Sequence, residues 1–116
     1  MDNKRPAGML ILLPTLLVTH AFGGLMIITR WYEIQEEHPR LDETMLPVAI
    51  GLIVLSMIGL IATWYWRRWG VGCVVAAYLL AISFDVYFEI FFHLYVASGA
   101  ILLYGIALWP ARTQLR

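Results

Sequence analysis

Charge is scarce in this sequence, and its absence is the most informative property of the chain. Charged residues make up 14% of the 116 positions and hydrophobic residues 61%, roughly half the charge fraction of an ordinary water-soluble domain. That balance excludes a soluble globular chain and predicts an integral membrane protein. Neither sign is in excess. Eight basic and eight acidic residues leave a net charge of zero, so there is no basic footprint for nucleic acid. Cysteine is nearly missing as well. The single Cys73 excludes an internal disulfide, and among small apolar neighbours it reads as a packing residue rather than a redox group. Neither HExxH nor a paired-histidine motif occurs, and no repeat or low-complexity segment is evident. The length leaves no room for a separate soluble domain. Each membrane helix needs about 20 apolar residues to cover a hydrocarbon core about 30 Å thick, which allows at most about four crossings.

What the chain does contain is apolar segments separated by short polar ones. The first span is read at about Ala7 to Thr29, behind Lys4 and Arg5. Thr19-His20-Ala21 imitates a signal cleavage site, but the apolar run continues past it and is long enough to span, so the segment reads as a retained anchor. Pro14 is expected to loosen one turn, because it cannot donate to the carbonyl four residues back. Residues 30–45 form a polar outer loop holding Glu33, Glu36, Glu37, Asp42 and Glu43, with Pro39 interrupting any helix there. The second span covers about Leu46 to Trp66, with Pro47 in its first turn, where a missing amide hydrogen costs little. It ends in WYWRRWG, a compact basic turn.

The next forty residues, Gly70 to Trp109, carry no ionisable side chain of the acidic, basic or imidazole type except Asp85, Glu89 and His93. A continuous helix through DVYFEIFFH would set these three on one face, about 6 Å apart in successive pairs. It would also extend about 60 Å, twice the hydrocarbon thickness. Phe84, Tyr87, Phe88, Phe91, Phe92 and Tyr95 centre on Glu89, and aromatic residues gather where membrane meets water. A carboxylate costs on the order of 2.5 to 3.5 kcal/mol at mid-membrane, which favours placing Asp85 and Glu89 at the surface. The chain is therefore expected to turn there, with a third span at about Gly70 to Phe88 and a fourth at about Phe91 to Trp109.

The distribution of positive charge favours the same topology. With the amino terminus inside, Lys4, Arg5, Arg67, Arg68, Arg112 and Arg116 are cytoplasmic, and Arg30 and Arg40 lie outside with seven of the eight acids. The expected fold is an all-α integral membrane protein, a compact bundle of four transmembrane helices with both termini cytoplasmic. A bacterial cytoplasmic (inner) membrane suits its compactness and charge asymmetry.

Four groups of residues invite a functional reading. The outer polar set, His20, Glu33, Glu36, Glu37, His38, Asp85, Glu89 and His93, mixes imidazole and carboxylate as metal sites do. Without a motif of fixed spacing it reads as solvated surface. His20 and His93, on different helices in the outer half of the membrane, could serve as axial ligands to haem b or flank a quinone, with Gly23 and Gly24 allowing close approach. Asp85 and Glu89 could form a proton path for ion-coupled transport, since ionisable groups in membrane segments mark such pathways by default. Small residues at helical spacing predict contact faces, because helices in lipid associate through close backbone approach. Cys73, Ala77 and Ala81 form one such stripe. Ala97 with Ile101 and Gly105, flanked by Ser98 and Gly99, forms another, and Gly51 and Gly59 with Ser56 a less regular third. The expectation carried forward is a small non-catalytic subunit or assembly factor that docks other membrane subunits through these faces, with the redox and transport readings as alternatives.

Overall fold

A computed structural model describes residues 5–116, and Lys4 falls outside them. The elements are α1 (Ala7–Thr29), α2 (Trp31–Glu37), α3 (Met45–Trp64), α4 (Arg68–Phe88), α5 (Phe91–Leu108) and a closing 3₁₀ helix (Trp109–Gln114). Four of the helices are long and apolar enough to cross a membrane, the last counted together with its 3₁₀ extension. They stand side by side in a particle 52 × 21 × 21 Å. Around the bundle the order is α1, α3, α4, α5, with α5 returning to pack on α1. The diagonal pairs are thus α1 with α4 and α3 with α5.

The helix ends follow local chemistry. Pro14 lies inside α1 without ending it, and Pro39 follows the last residue of α2 at one residue's remove. Both turns joining α3, α4 and α5 pivot on a non-glycine residue in the left-handed region. Trp66 has φ 64° and Glu89 φ 60°. A side chain there costs on the order of 1 kcal/mol per residue, so packing must hold each turn. At the second, the Ile90 amide donates to Asp85 O at 2.8 Å, closing α4 while α5 begins.

The polar segment 30–45 is more ordered than a loop. Trp31 and Ile34, spaced to share one face of α2, turn inward, and Trp31, Leu41 and Phe88 bury one another beneath Ile27, Phe84 and Ile90. This small core supports a helix that the segment's five acids and Pro39 obscured in the sequence. Arg40 ties the segment to the α4–α5 turn, its Nη1 donating to Tyr87 O at 3.1 Å.

Arg5 and the carboxyl-terminal Arg116 both bond to residues at the α3–α4 turn, at the opposite end of the bundle. Arg5 donates from Nε and Nη2 to Trp64 O at 3.1 and 2.8 Å, with its guanidinium 4.2 Å from the centre of the Trp64 ring. From the other terminus, the Arg116 amide donates to Trp66 O at 2.8 Å, and the Arg68 amide donates to Arg116 O at 3.0 Å.

The tightest helix contact is α3 against α4. A methyl group at Gly59 would stand 2.8 Å from Gly70 O, and one at Gly70 would stand 2.6 Å from the Ala62 Cβ. Two glycines facing each other let the backbones touch there, the contact that substitutes for water exclusion in an apolar solvent. Gly59 belongs to a stripe read from the sequence. Gly70 does not, because it sits beside the basic turn rather than within a repeat of small residues.

Candidate functional site

Three polar pairs are set at different heights within the apolar bundle. The first, near the end that holds the termini, crosses the α3–α5 diagonal. Thr63 Oγ1 donates to Gly59 O at 2.8 Å in its own helix and lies 2.8 Å from the Tyr104 hydroxyl. Threonine has one hydroxyl hydrogen, already given to the carbonyl, so Tyr104 is the donor to Thr63.

The second pair crosses the other diagonal. His20 Nδ1 is 2.6 Å from Leu16 O, and a carbonyl only accepts, so this nitrogen carries the hydrogen. Its Nε2 then accepts from the Tyr78 hydroxyl at 3.2 Å. The two rings meet edge to face, with centroids 5.7 Å apart. Both nitrogens of His20 are therefore engaged.

The third pair lies at the α4–α5 turn. Asp85 occupies the last turn of α4 and His93 the first turn of α5, and His93 Nδ1 donates to Asp85 Oδ2 at 2.6 Å. Asp85 is 3% exposed, whereas the His93 side chain is 55% exposed. The sequence reading placed Asp85 at the membrane surface. The left-handed turn at Glu89 folds α5 back beside the last turn of α4, and within the bundle Asp85 is covered by protein. Three residues, Val86, Tyr87 and Phe88, then separate a buried acid from an exposed one. Glu89 points away, and its Oε1 is 3.9 Å from Arg40 Nη1 with both side chains well exposed. Asp85 and Glu89 thus have different surroundings, and the imidazole within hydrogen-bond reach of Asp85 is His93.

The chain matches no protein-family model, no curated protein and no solved structure. The candidate site therefore rests on its geometry.

The remaining candidates separate by position. Ala77 is fully buried, and Cys73 and Ala81 are half-buried beside it. Gly99 and Gly105 face outward, and an added methyl at either would meet nothing within 4 Å. The same holds for Gly51. Among the described residues, no three His, Cys, Asp or Glu side chains converge to hold a metal ion. His93 keeps Nε2 available, but His20 could ligate haem iron only by giving up Tyr78. What the sequence reading missed is the pair of tyrosines. Tyr78 and Tyr104 looked like ordinary aromatic members of apolar helices, and only the bundle order turns their hydroxyls toward partners on the diagonal.

Proposed function

We propose that the chain is an integral membrane protein with both termini in the cytoplasm, and that it acts as a small subunit of a membrane assembly which takes up and releases a proton at Asp85–His93 on the outer side. Insertion is supported by large apolar side chains exposed on every long helix, including Ile11, Phe22, Ile58, Leu79 and Ile106. An apolar girdle of this kind, in which exposed Thr15, Thr19 and Ser83 each bond back to their own helix, has its partner in lipid. Orientation is supported by the positive charge at the terminal end, where Arg5, Arg67, Arg68, Arg112 and Arg116 gather.

The observation that carries the site is the burial of Asp85 with one imidazole against it. A carboxylate in so apolar a position is costly unless a cation or a proton accompanies it. His93 Nδ1 stands 2.6 Å from Asp85 Oδ2, and the exposed side of His93 offers a proton a route to the outer boundary. Arg40 and Glu89, on the loop and the turn, form a second charged pair near this end of α4. In bilayer-reconstituted protein, infrared difference spectra recorded across a pH titration are expected to show a carboxyl signal that disappears in Asp85→Asn and persists in Glu89→Gln. A signal unaltered by Asp85→Asn would rule the site out.

A specific observation favours docking as the subunit's means of assembly. Gly99 is open, on a face of α5 that also exposes Phe92, Tyr95 and Leu102, while the bundle spends Gly59 and Gly70 on its own closure. Gly99→Leu is expected to weaken recovery of partner subunits without changing the helicity of the chain. Recovery equal to that of the unaltered protein would remove this face from consideration.

A further inference from the structure

A groove of about 320 Å³ runs along the outside of the bundle between α4 and α5. Val71 and Val75 line it from α4, and Ile101 and Gly105 from α5, with Trp109 and Arg112 where it reaches the terminal end. Gly105 leaves a notch in one wall, since a methyl there would meet nothing within 4 Å. Arg112 is held in place rather than trailing into solvent. Its guanidinium stacks 3.9 Å from the centre of the Trp109 ring, and Nη1 donates to Trp109 O at 2.6 Å. No Asp or Glu among the described residues lies within ion-pair distance of it. The remaining guanidinium hydrogens form a planar fork suited to phosphate oxygens.

An apolar slot that ends in a fixed cation and an indole matches a ligand with an apolar tail and an anionic head. We propose that this groove binds one anionic glycerophospholipid, with an acyl chain lying between α4 and α5 and the phosphate on Arg112. The inference rests on membrane insertion with the termini at a membrane surface. The volume falls at the small end of ligand sites, fitting part of one chain rather than a partner helix. Charge complementarity selects the occupant, because juxtamembrane arginines attract anionic headgroups.

Native mass spectrometry of the full chain in mild detergent, titrated with phosphatidylglycerol or with phosphatidylcholine of the same acyl chains, tests the assignment. The expected result is one phosphatidylglycerol retained where phosphatidylcholine is lost. Arg112→Gln should weaken retention about tenfold, the equivalent of one charge-assisted hydrogen bond. Gly105→Leu should weaken it comparably with every charge kept, by filling the notch. Both positions face outward, and unchanged helicity would confirm that neither variant acts through unfolding. Arg67→Gln removes a cation beside a separate groove between α3 and α4 and should leave retention intact. Equal retention of the two lipids would overturn the proposal, as would equal losses in Arg112→Gln and Arg67→Gln, or wild-type binding by Gly105→Leu. Displacement of the lipid by soluble glycerol phosphate would also overturn it, by showing that the tail is not recognised. Alkaline carbonate extraction of membranes keeps the two readings apart. A chain that stays in the membrane yet shows no lipid preference defeats this inference alone, and a chain that is extracted defeats insertion as well.

Discussion

At the scale of single residues, the bundle's polar side chains divide by what their removal leaves behind. Tyr104→Phe deletes a donor and leaves Thr63 still bonded to Gly59, so the expected loss is about 0.6 kcal/mol, the average for hydrogen bonds between membrane helices. Thr63→Val strands the Tyr104 hydroxyl in an apolar interior and should cost about 1 to 3 kcal/mol. Unfolding in a denaturing detergent compares the two, and equal losses would contradict the assignment of Tyr104 as donor. Glycines divide in the same way. Gly70→Ala drives a methyl to 2.6 Å from the Ala62 Cβ, and overpacking of that kind costs about 1 to 3 kcal/mol. Gly51→Ala enters open space and should be neutral or slightly stabilising, because alanine is the better helix former.

At the scale of elements, the long helices were legible because they depend on composition averaged over about 20 residues. A single proline such as Pro14 or Pro47 does not alter such an average. The turn after Phe88 was legible from its aromatic cluster, but its consequence was not. Where Asp85 ends up depends on a left-handed Glu89, and non-glycine residues in that conformation leave no signature in sequence. The short α2 was hidden for a different reason. Its stability comes from Trp31 meeting Leu41 and Phe88, contacts distant in the chain, while its own residues read as an acidic loop. Trp31→Ala should accordingly melt this cap, with a loss of about 3 kcal/mol or more, and free the α4–α5 turn from Arg40. Arg40→Ala alone removes an exposed pair and one bond to the Tyr87 carbonyl, so about 1 kcal/mol is expected. Thermal unfolding of the two variants in one detergent would rank them, and a larger effect of Arg40→Ala would contradict the packing account.

At the scale of the whole molecule, the fold is a ring of four helices braced across both diagonals. His20 and Tyr78 join α1 to α4, and Thr63 and Tyr104 join α3 to α5. Helix order around the ring was not readable from hydropathy, since every helix is apolar on nearly all sides and none shows a sharply polar face to orient it. Proposed orientation can be checked over the full chain. After Cys73→Ser, a membrane-impermeant thiol reagent applied to intact cells should label Glu36→Cys and not Arg112→Cys. The reverse pattern would invert the topology and move Asp85–His93 to the cytoplasmic side.

The unequal construction of the two ends gives the molecule a built-in gradient of rigidity. One end combines glycine-to-glycine backbone contact, a stacked arginine, main-chain bonds between distant segments and a buried hydroxyl pair. At the other, the small core of Trp31, Leu41 and Phe88 is joined only by an exposed arginine and a half-exposed histidine. Thermal motion should therefore swing the α4–α5 tip about the Tyr78 brace as a lever swings about its pivot, and amide hydrogens near Glu89 should exchange far sooner than those near Gly70. A proton arriving at His93 would act on the free end of that lever, where the least force produces the most movement.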